Sequence, residues 1–384
     1  MAAKIEDPRI MFTSRNRRSP YFMATRRHGA KAYSIYNHMF LPMYYDDPVK
    51  EYWKLVKDVT LWDVGVERQV EITGPDAFKF TSLLTPRDLT KCEVGQCKYV
   101  LITAEDGGII NDPILLRLGE NHFWLSLSDS DVLLWVKGLA VYAGMNVNVQ
   151  EPDVSPIQVQ GPKSKNVIQT LFGDRVRDLP YYDFAETELQ DIPVIVARTG
   201  WSCEVGYEIY LRDSSRGEEL WNAVMKAGQP HNISPIGPSH IRRVEAGILN
   251  WGSDITLQDN PYEAGLGWLV DLGKKADFIG KDALKRIKAE GVKRKLVGLE
   301  IEGELQTVQN EAPTFPVVRQ GKPIGHLRSF AHSPRLNKNI GLAMVSIENA
   351  DLGTALMVKM PGGDVQAHVV KKPFIDPTKD VPKL

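Results

Sequence analysis

The stretch ITGPDAFKFTSLL, residues 72–84, decides the fold because it joins the end of a strand to a Gly-Pro break and a helix. Alternating residues before Gly74 predict a strand over 64–73, and apolar spacing after the break predicts a helix through Leu84. A similar unit, VQGPKSKNVIQTLF, follows at residues 159–172. The repeat predicts two duplicated or pseudosymmetric α+β halves. Coincidence is the alternative explanation for the similarity of the two units, since a strand followed by Gly-Pro and a helix is a common arrangement.

On either side of these units the sequence predicts both strands and helices. Residues 98–104 and 109–118 predict a hairpin around Asp106-Gly107-Gly108, and residues 186–197 and 205–211 predict strands flanking the loop 198–204. Helical spacing is predicted at 48–59, 131–143 and 239–249. A charged run at 285–295 predicts a domain boundary, and short alternating strands beyond it predict a small all-β domain.

Composition narrows the kind of partner. The chain has 384 residues, which favours two or three domains, and its 47 basic and 48 acidic side chains nearly cancel. A nucleic-acid partner is therefore not expected, and a small molecule is favoured. Three cysteines without a CxxC pair imply neither a disulfide framework nor a metal site. With no signal-like or membrane-spanning apolar run, we expect a cytoplasmic protein that is a monomer or homodimer.

Common catalytic motifs are missing, including a P-loop, G-x-S-x-G, HExxH and GxGxxG after a strand. Asp112 stands out because it precedes a proline in an apolar strand, where an unpaired charge is expensive to bury. Two interpretations remain open at this point. Asp112 is either a strand-end aspartate or a carboxylate that faces a cationic or amine-bearing ligand.

Aromatic side chains cluster around the loop 198–204. Trp201 lies in it, and Tyr207 and Tyr210 follow on a strand whose alternation sends their rings to opposite faces. Such rings are either core packing or a box for a methylated cation. Glu204 and Arg243 are further candidates, either paired with each other or, for Arg243, on a solvated helical face.

Several segments in chain order resemble the glycine-cleavage T-protein, or aminomethyltransferase, family; they are residues 70–77, 107–112, 198–208, 243–247, 261–268, 340–343 and 369–374. The resemblance implies an α+β cloverleaf of three domains with folate in a central channel and a C-terminal all-β domain. We expect a folate-binding domain from residues 1–62 plus 152–285, a second α+β domain at 63–151 and a β-barrel at 286–384.

Details within the family point away from its glycine-cleavage members. The family's Tyr-Thr-Gly-Glu is Trp201-Ser202-Cys203-Glu204 here, and residues 36–39, 66–70 and 128–135 resemble the branch that demethylates dimethylsulfoniopropionate. That resemblance implies a sulfonium substrate held by Phe12, Trp201 and Tyr210, with tetrahydrofolate as the methyl acceptor.

The same resemblance implies roles for other positions. Asp112 matches the functional aspartate beside the reactive part of the folate, Glu204 the glutamate that reads the pterin, and Arg243 the arginine of Arg-Leu-Glu-Ala-Gly. The remaining positions expected to face the folate are Lys98, Tyr99, Ser126 and Ser128. Rival activities are transfer from a glycine-derived aminomethyl group, a methylated amine or an aryl methyl ether, or folate binding without catalysis.

Overall fold

The computed structural model describes residues 13–303 and 314–384. Its first segment comprises α1 (Phe22–Arg27), β1 (Ala32–Tyr36), β2 (Met39–Tyr44), α2 (Pro48–Lys57) and β3 (Thr60–Asp63). The side chain of Asp47 caps α2 by accepting hydrogen bonds from the amides of Val49 and Lys50. The predicted helix at 48–59 is confirmed, with its end at Lys57.

The next segment folds on a five-stranded antiparallel sheet of strand order β10-β4-β9-β8-β5. Its elements are β4 (Gln69–Thr73), α3 (Ala77–Leu84), β5 (Cys97–Tyr99), β6 (Ile102–Thr103), β7 (Ile109–Asn111), β8 (Ile114–Gly119), β9 (His122–Ser126), α4 (Val132–Tyr142) and β10 (Asn148–Gln150). The strand predicted over 64–73 begins only at Gln69, because residues 64–68 form a turn.

The third segment builds a six-stranded sheet of order β12-β13-β14-β11-β3-β15. Its elements are β11 (Ser155–Gln160), α5 (Ser164–Phe172), α6 (Asp174–Arg177), β12 (Phe184–Leu189), β13 (Ile192–Ala197), β14 (Gly206–Leu211), α7 (Gly217–Gly228), β15 (Ser234–Pro235), α8 (His240–Glu245), α9 (Pro261–Ala264) and α10 (Lys281–Glu290). Since β3 precedes the five-stranded sheet in the chain, this sheet is discontinuous in sequence.

The two Gly-Pro breaks have the same local geometry. Gly74 has φ +116° and Gly161 has φ +122°, a region that L side chains rarely adopt. A Cβ at Gly74 would lie 2.6 Å from the carbonyl oxygen of Asn146, and one at Gly161 would lie 2.5 Å from that of Asp58. Each break leads into a helix, α3 or α5, so the predicted strand-break-helix units form in both places.

Two predicted strand boundaries were wrong. The hairpin at 98–118 is split, because β5 pairs with β8 in the large sheet whereas β6 pairs with β7 in a separate two-stranded sheet. Asp112 lies at this split, just before Pro113. Residues 186–197 are not one strand: Gln190 and Asp191 have φ of +49° and +66°, and they turn the chain between β12 and β13.

The C-terminal part is a closed antiparallel barrel of order β16-β19-β18-β17-β20-β21, which confirms the predicted all-β domain. Its strands are β16 (Arg294–Ile301), β17 (Phe315–Arg319), β18 (Lys322–Ser333), β19 (Lys338–Ser346), β20 (Ala355–Met360) and β21 (Gly363–Val370). Membership of the three sheets supports the domain division at 1–62 plus 152–285, 63–151 and 286–384, which we keep as a proposal.

The two large sheets meet through a shared apolar cluster. Cys97 and Trp124 from the five-stranded sheet pack with Ile195 and Tyr210 from the six-stranded sheet. The amide of Cys97 also donates to the carbonyl of Tyr182, at 2.7 Å. This contact brings the ends of β5, β9 and β14 together. Within the described ranges, no helix has the length and apolar character needed to span a membrane.

Candidate active site

Asp112 is held by two hydroxyl groups at the split of the hairpin. The hydroxyl of Ser128 donates to Oδ1 at 2.5 Å, and that of Tyr99 donates to Oδ2 at 2.9 Å. Asn111 supports the arrangement, because its Nδ2 donates to the carbonyl of Ser128 at 3.0 Å. Asp112 therefore has a fixed orientation and, among the described residues, no ion-pair partner.

Burial raises the pKa of Asp112 to about 6, and the charge of Asp254 acts in the same direction. The hydrogen bonds from Ser128 and Tyr99 oppose that rise because they stabilise the ionised form. The side chain is only 8% exposed. An aspartate in this state is ionised near neutral pH and favours a positive charge placed beside it.

Replacing Ser128 with Ala is expected to raise the pKa of Asp112 above about 6, since a donor to the carboxylate is lost. Any turnover that needs ionised Asp112 falls as pH drops through that pKa, so the acid limb of the pH-rate profile should move to higher pH. Ser130→Ala is the matched control, because the Ser130 hydroxyl donates to the carbonyl of Ile110 and not to Asp112. Equal acid limbs in the two variants would contradict the role of Ser128.

A second polar network lies where the two sheets meet. Nε2 of Gln158 lies 3.4 Å from Oε1 of Glu67 and 2.7 Å from Oε1 of Glu208. The hydroxyl of Tyr210 donates to Oε2 of Glu208 at 3.0 Å, and that of Ser126 lies 3.4 Å from Oε2 of Glu67. Burial raises the pKa of both carboxyl groups, and the charge of Glu208 raises that of Glu67 further.

Tyr36 connects the two networks. Burial, together with the charges of Glu67, Asp112 and Asp129, raises the pKa of its phenol well above the ordinary value. Tyr36, Glu67 and Tyr99 nevertheless keep part of their surface exposed. These three side chains are therefore only partly shielded from solvent.

The predicted aromatic cage is only partly described. Phe12 lies outside the described residues. Trp201 is half-buried against Trp62 and Ile236, whereas Tyr210 is 0% exposed and packs with Trp124. No ring contact joins Trp201 to Tyr210 in the part of the chain that the structure covers. Hydrogen bonds link the two residues indirectly. The Trp201 amide donates to Oε1 of Gln158 at 3.3 Å, and Gln158 and Tyr210 both donate to Glu208.

The predicted pairing of Glu204 with Arg243 is wrong. Glu204 accepts from Nε of Arg242 at 2.6 Å, while Arg243 pairs with Asp254 and donates to Ser329 at 2.8 Å. The alternative of a solvated helical face is also wrong, because Arg242 and Arg243 are 0% and 2% exposed. Successive helix residues project about 100° apart, so the two arginines meet different acids. The guanidinium of Arg243 lies 5.8 Å from the centre of the Trp201 ring.

The positions expected to face the folate do not all lie together in the structure. Tyr99 and Ser128 both donate to Asp112, and Ser126 belongs to the Glu67 network. Lys98 precedes Tyr99 in β5, so its side chain projects from the other face of the strand. That position of Lys98 remains a prediction, as do the folate contacts of the others.

Sequence reasoning missed Glu67, Gln158, Glu208 and Trp268. The alternation of apolar and polar residues at 157–160 favours an exposed Gln158, but β11 is a central strand, so Gln158 is fully buried. Glu208 lies in β14, where all six residues are buried, and an acid among apolar neighbours was the available signal. Trp268 is 66% exposed and lies 6.3 Å from the ring of Tyr99, centre to centre.

Comparison with known families defines the class of this fold and site. The model of the GCVT N-terminal domain matches residues 21–274, and that of the glycine cleavage T-protein C-terminal barrel domain matches residues 294–376. The chain belongs to the glycine cleavage T-protein family of folate-dependent transferases. The predicted family is therefore confirmed.

Individual relatives refine the comparison. The chain is 38% identical to dimethylsulfoniopropionate demethylase DmdA of Ruegeria pomeroyi over 92% of this chain and 96% of that protein. It is 32% identical to the aminomethyltransferase of Shouchella clausii over 94% and 98% of the two chains. The crystal structure of aminomethyltransferase T from Bartonella henselae superposes with a TM-score of 0.84 at 24% identity, covering 94% of this chain and 98% of that chain, which confirms the fold.

Proposed function

We propose that this chain transfers a methyl group from a small onium compound to N5 of tetrahydrofolate. The leading donor is dimethylsulfoniopropionate, with methylthiopropionate and 5-methyltetrahydrofolate as products. One observation carries the proposal: the backbone amide of Trp201 and the carboxyl groups of Glu67 and Glu208 all contact the Gln158 side chain, which gathers an aromatic residue and two acids around one point, as a cation site requires. The similarity to DmdA supports the same donor.

The donors and acceptors around Asp112 and Glu67 fit tetrahydrofolate. A pteridine edge presents N–H donors, for which the unpartnered, buried Oε1 of Gln69 would be an acceptor. The exposed ring of Trp268 beside Tyr99 offers a stacking surface for an aromatic tail. Glu204 and Arg243 would act indirectly: Glu204 would position the 198–204 loop, and Arg243 would position the Trp201 ring. The proposed folate contacts are Lys98, Tyr99, Asp112, Ser126 and Ser128.

Tetrahydrofolate supplies the N5 lone pair when bound. The methyl carbon–sulfur bond breaks with its electron pair on sulfur, the carbon–N5 bond forms, and the N5 proton passes to solvent. A sulfonium needs no acid, because its leaving group is a neutral thioether. Trp201 would therefore contribute mainly alignment, which is worth about 7–11 kcal/mol in favourable cases. Asp112 would favour the positive charge as it moves onto N5, more in the transition state than before it.

An aminomethyltransferase is the second candidate, favoured by the similarity to the Shouchella clausii enzyme. Incubation of purified protein with tetrahydrofolate and a panel of sulfonium, methylated-amine, aryl-methyl-ether and aminomethyl donors separates the candidates. We expect 5-methyltetrahydrofolate from dimethylsulfoniopropionate, detected by mass spectrometry. Methylenetetrahydrofolate from the aminomethyl donor alone would support the second candidate instead.

We further propose that the protein acts in the cytoplasm, as a monomer or homodimer.

Replacing Trp201 with Ala should weaken donor binding by roughly 2- to 30-fold, since each cation–π contact is worth about 0.5–2 kcal/mol. Folate binding should change less. Trp268→Ala is the matched comparison, because Trp268 neighbours Tyr99, and we expect it to weaken folate binding while sparing the donor. Titration calorimetry with each ligand measures both. Unchanged donor affinity in the Trp201 variant would exclude that ring from the site.

A further inference from the structure

Glu67 lies in the turn between β3 and β4, far along the chain from Glu208 in β14. The turn brings its carboxyl group to the same amide that contacts Glu208, with Nε2 of Gln158 3.4 Å from one acid and 2.7 Å from the other. Other donors to Glu208 are the hydroxyls of Thr199 and Tyr210. Within the described part of the chain, all the hydrogen-bond partners of the pair are neutral.

Several other buried acids of this chain are matched with arginine, whereas Asp63 and Asp112 are held by neutral donors. Glu204 and Glu245 pair with Arg242 and Arg335, Asp254 with Arg243, and Asp259 with Arg328. Neither Glu67 nor Glu208 has a basic side chain within ion-pair distance among residues 13–303 and 314–384. Two carboxyl groups in a poorly hydrated place repel each other, so they cannot both be ionised cheaply without a nearby positive charge.

The surroundings of the pair suit a cation that carries no N–H donor. The backbone amide of Trp201 donates a hydrogen bond to Gln158, and Trp201 keeps part of its surface exposed. Glu67 also keeps part of its surface exposed, whereas Glu208 is 3% exposed and holds its neutral partners. A sulfonium or quaternary ammonium interacts through its charge and with ring faces, so it needs no free hydrogen-bond acceptor from these residues.

We infer that Glu67, backed by Glu208, is the counter-charge that selects a permanently cationic methyl donor over a neutral molecule of the same shape. This inference rests on the proposed function, since it concerns the donor side of the same site. It excludes aryl methyl ethers and other neutral methyl donors as preferred substrates. Glu67 is a specificity-determining residue here, and it takes no part in bond making.

The test compares each cation with its carbon isostere. Dimethylsulfoniopropionate is matched by 4-methylpentanoate, and glycine betaine by 3,3-dimethylbutanoate; the members of each pair differ in the central atom and its charge. Calorimetry on the wild-type protein should show preference for the cation in at least one pair. In Glu67→Gln we expect about tenfold or greater loss of cation affinity with the isostere unchanged, so that the preference collapses. Glu93→Gln, at an exposed position, should keep the wild-type preference.

The outcomes are distinguishable. Absence of 5-methyltetrahydrofolate from dimethylsulfoniopropionate with intact cation preference defeats the proposed donor and leaves the inference standing. Equal preference in Glu67→Gln and wild type, or no preference in wild type for either pair, overturns the inference. Urea unfolding accompanies the titrations. Since burial disfavours ionised Glu67, the Gln variant is expected to fold at least as stably as the wild type.

Discussion

Asp112→Asn is expected to lower turnover by about 100- to 1,000-fold, the usual effect of removing one charge-stabilising group from a transition state. The amide keeps the shape of the side chain between Ser128 and Tyr99 but cannot offset positive charge on the acceptor nitrogen. Donor affinity should stay within about twofold, because Asp112 is proposed to act on the folate side. Single-turnover kinetics and donor titration measure the two quantities separately.

Asp106→Asn is the control, since Asp106 lies exposed in the same hairpin and accepts from the amide of Gly108 at 2.9 Å. Turnover of the Asp112 variant within threefold of this control would rule out the electrostatic role.

Asp112→Asn is expected to stabilise the fold although it lowers turnover. The pKa of Asp112 is about 6 in the folded protein and 3.8 ordinarily, so folding favours its protonated form. The resulting stability is fully present below pH 3.8 and is lost as pH rises through 6. Removing the charge should therefore stabilise the fold at pH 8, by up to about 3 kcal/mol, and much less at pH 4. Thermal unfolding at the two pH values measures this.

Arg242→Met is expected to destabilise the fold by about 3–5 kcal/mol, because it removes the buried cation that donates to the carboxylate of Glu204. Arg242 is 0% exposed, and its Nε and Nη2 donate to Oε1 of Glu204 at 2.6 Å and to the carbonyl of Cys203 at 2.9 Å. Both acceptors lie in the stretch that follows Trp201. Weakened donor binding should therefore accompany the loss of stability, which urea unfolding measures.

Arg216→Met is the control, because Arg216 pairs with Glu219 at the surface and its loss should barely move the unfolding midpoint. Adding Glu204→Gln to Arg242→Met should restore part of the stability by removing an unpaired charge. A midpoint for Arg242→Met no lower than that of the control would contradict this account of the ion pair.

Local patterns determined much of the fold. The Gly-Pro breaks follow from residues in direct succession, since a glycine with positive φ must stand where the strand passes against a backbone carbonyl. The alternating strands of the barrel are similarly local. The split hairpin and the β12–β13 turn were missed, because periodicity alone does not show where a strand changes its partner.

For the site, the sequence by itself singled out Asp112 and Trp201, because each is chemically unusual among its immediate neighbours. Only the tertiary structure decided which charges meet. It paired Glu204 with Arg242 rather than Arg243, and it brought Glu67 to Glu208 through Gln158. Burial and partnership depend on which strands are central and which turns face each other across two sheets, and those relations are set by packing between distant segments rather than by the order of neighbouring residues.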